Sequence, residues 1–128
     1  MIVLDASAVL DLLLRRGDGE QIAKLLAEQE ALSLELLVPE VLHTLRRFEH
    51  RGELATARAA QAVEDFIDLP VDLYPLHPLT RRIWEGRADL TAYDAGYVGL
   101  AASVGATLVT TDRRLARTAS RHCAVARL

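Results

Sequence analysis

Thr91-Ala92-Tyr93-Asp94-Ala95-Gly96-Tyr97-Val98-Gly99-Leu100-Ala101-Ala102 decides how the rest of the chain is read. Its spacing predicts one helix. Thr91 suits the N-cap, where a hydroxyl accepts one of the orphan amide protons of the first turn. Asp94 falls in that turn, where the helix dipole favours negative charge. Tyr93, Tyr97, Leu100, Ala101 and Val104 recur at helical spacing as an apolar face. Ala95, Gly96, Gly99, Ala102 and Ser103 are small enough for the helix to lie close against a sheet, and Gly105 supplies a stop. A helix built for burial that gives an early position to Asp94 raises the question of what that carboxylate faces.

Outward from this helix, strand and helix patterns alternate. Ile2-Val3-Leu4 reads as a buried central strand ended by Asp5, and Ala6 to Leu14 continues as a helix. Gly19 to Glu30 is an amphipathic helix with Asp18 as its cap. Ala31 to Val38 fits either a buried strand or a helix start, and Pro39 places the next helix start near itself or else a kink there, since proline is comfortable in a first turn and costly further in. That helix carries Val41, Leu42, Leu45 and Phe48 and stops near Gly52. Glu53 to Leu69 forms its hairpin partner, with Leu54, Ala57, Val63, Phe66 and Ile67 inward. Val71 to Leu76 is a strand, Leu79 to Arg87 a short helix with Ile83 and Trp84, and Thr107 to Thr110 a buried strand. Arg113 to Ser120 is a short basic helix, and Cys123 to Val125 an edge strand.

This order implies an α/β domain, a central and mainly parallel sheet with helices on both faces and a helical hairpin. Ligands in such sheets bind outside the carboxyl ends of the strands. Asp5 ends the first strand, Asp112 follows the strand at Thr107 to Thr110, and Asp94 and Glu40 lie near helix starts on that rim. Four carboxylates from distant parts of the chain can converge there.

Composition limits the alternatives. The 128 residues suit one domain, residues 1–128, and 51% are hydrophobic, enough for a continuous core. The net charge of -3 argues against a generally basic nucleic-acid binder. No apolar run approaches the roughly 20 residues of a membrane span, and Asp5 interrupts any signal-like segment. Cys123 is the only cysteine, so there is no internal disulfide and a reducing cytoplasm fits. The basic residues are one Lys, Lys24, and fourteen Arg. Arg46, Arg47, Arg113 and Arg114 either grip phosphate or form a solvated face.

Carboxylates packed together repel unless a cation sits among them. Oxygen ligands without His or Cys select a hard ion, Mg2+ or Mn2+. Such a site orients a water and offsets charge on a scissile phosphate, so the fitting chemistry is phosphodiester hydrolysis. Ser7 and Thr110 either bond a carboxylate or cap a turn. Asp89 reads first as a loop residue and second as a fifth acid. Trp84 and Tyr97 read first as core and second as base-stacking groups. His43, His50, His77 and His122 show no mutual metal spacing.

Ile2 to Ala8, Glu40 to Arg47, Leu90 to Ala95 and Leu108 to Asp112 resemble, in the right order along the chain, the PIN-domain ribonucleases, and most closely the VapC toxins of bacterial type II toxin-antitoxin modules. The Tyr93-Asp94-Ala95 helix is the most specific part of the likeness. The resemblance implies a three-layer α/β/α PIN-like fold and a Mg2+-dependent endoribonuclease. Asp5, Glu40, Asp94 and Asp112 would be its acidic quartet, with Asp5, Asp94 and Asp112 on the metal and Ser7 and Thr110 as supporting hydroxyls. It further implies a VapB-like antitoxin, an RNA substrate and a homodimer. A non-toxin nuclease of the same fold and a non-cleaving RNA- or protein-binding domain are the competing readings. A phosphoacceptor domain is disfavoured, because it needs an acidic pair after the first strand and a Lys near the last.

Overall fold

The computed structural model describes residues 1–128. Four strands, β1 (Ile2–Leu4), β2 (Ala31–Leu34), β3 (Val71–Tyr74) and β4 (Thr107–Val109), form one sheet in the order β3-β2-β1-β4. All three pairings are parallel, with Ile2 opposite both Ala31 and Thr107. The apolar runs of β1 and β2 are buried on both faces, as parallel strands between helical layers must be.

Seven helices connect and cover the strands: α1 (Ala6–Leu14), α2 (Gly19–Glu28), α3 (Leu37–His50), α4 (Thr56–Ile67), α5 (Thr80–Glu85), α6 (Ala92–Val104) and α7 (Arg113–Ala119). Single 3-10 turns at His77–Leu79 and Gly86–Ala88 flank α5. Helix α1 packs on α2, α3 and α4, whereas α6 lies against β1, β2 and β4 and carries α5. The result is the three-layer α/β/α arrangement expected. One buried cluster runs through it, from Ile2, Val3 and Leu4 to Leu37, Val41, Tyr97, Leu100, Leu108 and Ala119.

Several details differ from the expectations. Helix α3 starts at Leu37, so Pro39 sits inside its first turn, where its missing N–H costs nothing. The ambiguous segment before it divides into β2 and a short turn. Helix α4 turns Ala59 and Ala62 inward and leaves Ala57 and Ile67 exposed, because it meets its neighbours along a stripe of small residues. In α6 the burial is nearly all round from Ala95 to Ala101, while Tyr93 and Val104, expected inside, are exposed at its two ends. Cys123 to Val125 contributes only a bridge from Val125 to Leu108, so the sheet has four strands.

Strand order places the site. From β1 the chain crosses to β2 on one side and, later, to β4 on the other, so the connections diverge at the β1/β4 boundary. Crevices at such switch points are the usual ligand sites of parallel sheets.

Candidate metal and phosphodiester site

Asp5 is built into this boundary by two roles at once. It caps α1, its Oδ1 accepting from the Ala8 amide at 2.9 Å, and it is 5% exposed. The Ser7 hydroxyl donates to the same oxygen at 2.7 Å, and Thr110 donates to Oδ2 at 2.5 Å. Ser7 and Thr110 oxygens stand 3.1 Å apart, and Ser7 accepts from the Thr111 amide at 3.0 Å. Both hydroxyls named from the sequence thus hold the Asp5 carboxylate. Burial nevertheless dominates and pushes its pKa up to about 6; the hydroxyl and amide bonds pull it down, and the charge of Asp94 adds to the rise.

Asp94 sits in the first turn of α6, whose N-cap is Thr91: the Asp94 amide donates to the Thr91 hydroxyl at 3.1 Å. Half-burial raises its proton affinity, with the charge of Asp112 next; the Thr91 bond and the nearby Arg114 oppose the rise. Glu40, in the first turn of α3, is also half-buried and raised, first by burial and then, against a bond from Tyr97, by the charge of Asp94. Asp94 is therefore the group that the other acids share. It raises Asp5 and Glu40 and is itself raised by Asp112.

Asp112 is the most exposed of the quartet. Its Oδ1 caps α7 by accepting from Arg114 and Leu115 amides at 3.0 and 3.1 Å. Its own amide donates to the Thr110 hydroxyl at 3.1 Å, which joins it to the Asp5 network. A pocket of about 150 Å3 is lined by Asp89, Thr91, Asp94, Asp112, Arg114 and Thr118, among others.

Asp89 borders that pocket but turns to the C-terminal segment. Its Oδ2 meets His122 Nε2 at 3.0 Å and Arg121 at 3.5 Å. The bond from His122 is the first cause of its lowered pKa. Arg46, Arg47 and Arg113 are exposed and make no bond to the acids; Arg114 is the arginine that lines the pocket. Trp84 is exposed, with Arg87 stacked 4.3 Å from its ring. Tyr97 is the residue whose part the sequence concealed. It is buried, as a core tyrosine should be, yet its hydroxyl donates to Glu40 Oε1 at 2.6 Å. Burial, that bond and the charges of Glu40, Asp5 and Asp94 all push its pKa far up, so it stays a neutral donor. The signal available was its position, one turn after Asp94 on the same helix face.

Three acids, each raised first by burial and further by a neighbouring carboxylate, form a site whose negative charge favours a cation. The donors are oxygens throughout, which suits a hard divalent ion. No three of the chain's His, Cys, Asp or Glu stand close enough to enclose an ion by themselves. An oxygen-only donor set suits an ion that keeps part of its water shell, as Mg2+ characteristically does.

An α/β/α domain with an acidic, oxygen-donor rim at the switch point of a parallel sheet is the class of protein that fold and site define. The PIN domain family matches residues 2–121. Ribonuclease VapC9 of Mycobacterium tuberculosis (strain ATCC 25618 / H37Rv) is 41% identical over 125 residues, covering 98% of this chain and 96% of the relative. Among solved structures, PAE2754 from Pyrobaculum aerophilum superposes with a TM-score of 0.72 at 25% identity, covering 97% of this chain and 81% of that one. VapBC2 from Rickettsia felis, bound to a DNA fragment from its promoter, gives 0.73 at 14% identity over 98% of each chain, a likeness of fold. The chain belongs to the PIN-domain family, in its VapC ribonuclease branch.

Proposed function

We propose that this protein is a Mg2+-dependent endoribonuclease, the toxic component of a VapBC-like type II toxin-antitoxin module, and that residues 1–128 form its single nuclease unit. The carrying observation is that Thr110 joins the Asp5 carboxylate to the backbone of Asp112, and that Asp112 and Asp94, from separate segments, line one pocket at the same rim. Nucleases of this family are generally metal-dependent. Asp5, Asp94 and Asp112 would hold it here, Mg2+ first and Mn2+ as a substitute; when bound, it supplies charge neutralisation at the scissile phosphate and a more acidic water.

The chain's own residues do the rest. Ser7 and Thr110 fix both Asp5 oxygens, so the most buried carboxylate needs no reorganisation. Thr91 anchors the backbone of Asp94. Glu40 is the acid placed to orient the attacking water and hold its proton, because burial raises its basicity. Arg114 lines the pocket, and the exposed Arg46, Arg47 and Arg113 would serve as further phosphate contacts.

The antitoxin has a place to dock. Val38, Leu42, Val63, Phe66, Ile67, Leu69, Val71 and Leu73 line a wholly apolar groove of about 260 Å3 between α3, α4 and the edge strand β3. An amphipathic tail laid there, with a basic side chain reaching the acidic rim, would block the site. A cytoplasmic location goes with this reading; no helix is long and apolar enough to cross a membrane.

The test is cleavage of RNA by the purified chain with Mg2+, with Mn2+ and with excess EDTA. Cleavage with either metal and none in EDTA is expected. Undiminished cleavage in EDTA, or none under any condition, overturns the reading. For the toxin role, expression of the chain alone should arrest growth and co-expression of an adjacent antitoxin gene should relieve it.

A further inference from the structure

The Tyr97 to Glu40 bond connects the two helical layers at the carboxyl edge of the sheet, over 57 positions of sequence. At 2.6 Å it lies in the range of a hydroxyl donating to a charged carboxylate. The backbone of Glu40 is already fixed. Its amide bonds Leu36 O at 3.3 Å, and its carbonyl accepts from the Thr44 hydroxyl at 3.1 Å. Its side chain has three further torsions, and Tyr97 is the one group of the chain that ties its carboxylate down. The second oxygen, Oε2, takes no bond from the chain.

Helix α6 is shaped to bring the phenol there. Gly96 precedes Tyr97, and a Cβ at that position would come within 2.9 Å of Leu34 Cδ1 on β2. The missing side chain lets α6 lie against the end of β2, from which α3 departs. Asp94 and Tyr97, three residues apart, then project from one side of α6. A core position that needed only bulk would be served by Phe. A buried phenol calls for an acceptor, and here the acceptor is a candidate catalytic acid. A phenol also orients that acid without adding positive charge, which Lys or Arg in its place would do.

We propose that Tyr97 is a positioning residue of the nuclease site, its phenol holding Glu40 beside Asp94 with Oε2 free for the reacting water. This rests on the nuclease reading above and assigns the buried phenol a part in it. Tyr97→Phe keeps the ring and removes the donor. Its kcat should fall on the order of 10- to 100-fold, as expected when a reacting group is misplaced by about an ångström, with KM for RNA and the melting temperature close to wild type. In a Glu40→Gln background, Tyr97→Phe should cause no comparable further loss. Wild-type kcat in Tyr97→Phe, or an equal loss in both backgrounds, overturns the proposal. A second measurement does not depend on the folding of Tyr97→Phe. In protein labelled with 13C at tyrosine Cζ, Glu40→Ala should shift the Tyr97 signal, and an unmoved signal overturns the tether. If the wild type cuts no RNA at all, the nuclease reading fails instead, and the labelled-tyrosine experiment still reports the bond.

Discussion

Thr110 after β4 donates its hydroxyl to Asp5 after β1, and this 2.5 Å bond ties the ends of two neighbouring strands together at the site. It is the largest influence drawing the Asp5 pKa down, against a burial that pushes it up to about 6 from 3.8. A carboxyl raised in the folded state binds protons more tightly folded than unfolded between those two values. Its stabilising contribution is whole below the lower value and is lost as pH rises through about 6. Glu40 and Asp94 are raised too and act in the same direction.

Metal-free protein in EDTA should therefore melt higher at pH 5 than at pH 7. For Asp5 alone the difference between these two pH values is on the order of 1 kcal/mol, about half of what a shift of about 2 pKa units gives over the full titration range. Asp5→Asn, which can still cap α1, should stabilise the metal-free protein at pH 7 and flatten the profile. Thr110→Val should push the Asp5 pKa higher and steepen it. Thermal melts across pH decide this, and a wild-type profile that rises from pH 5 to pH 7 contradicts it.

Asp94→Asn should abolish cleavage with the fold intact. Asn keeps the shape and removes the charge shared with Asp5, Glu40 and Asp112. The Thr91 hydroxyl accepts from the backbone amide of residue 94, so that cap survives. Circular dichroism should match wild type. Full activity in this variant would remove the central claim about the site.

How far the sequence disclosed this arrangement depended on the locality of each signal. The β1 run, the Thr91 cap, the Gly105 stop and the convergence of strand ends rest on local chemistry or on a general property of parallel sheets, and the structure contains them. Gly105 indeed adopts a left-handed φ of 67°. Which face of α4 turns inward was not legible. Ala57 and Ile67 look apolar, yet Ala59 and Ala62 are taken because close helix contact selects small side chains. The same limit concealed Tyr97. Nothing local separates a packing tyrosine from one whose hydroxyl meets a carboxylate from another helix.

Ile67 illustrates the other consequence of that facing. It is 68% exposed at the rim of the apolar groove, with Val38, Leu42 and Leu73 each about 38% exposed nearby. Ile67→Asp should cost the folded chain little, since surface changes are usually within about 0.5 kcal/mol. It should weaken antitoxin binding at least on the order of tenfold, as loss of an apolar anchor does, with RNA cleavage unchanged. Calorimetric titration of antitoxin against both proteins measures it. Equal affinity would move the docking site elsewhere.

Trp84 bears on assembly. The side chain is 65% exposed on α5, with Arg87 against its ring. A shallow pocket of about 350 Å3 beside it is formed by Leu76, His77, Thr80, Ile83, Trp84, Arg87 and Ala92. Because the ring is outside the core, truncating it should leave stability within about 1 kcal/mol, the loss being mainly the contact with Arg87. Trp and Arg are both among the residue types enriched at interface hot spots. In a homodimer meeting through this face, each Trp84 would enter the pocket of the other copy. Trp84→Ala should then shift the protein from dimer to monomer with its melting temperature nearly unchanged. Sedimentation velocity over a concentration series reads the outcome. A wild type that stays monomeric at high concentration excludes the dimer, and a variant that dimerises as tightly as wild type places the interface on another face.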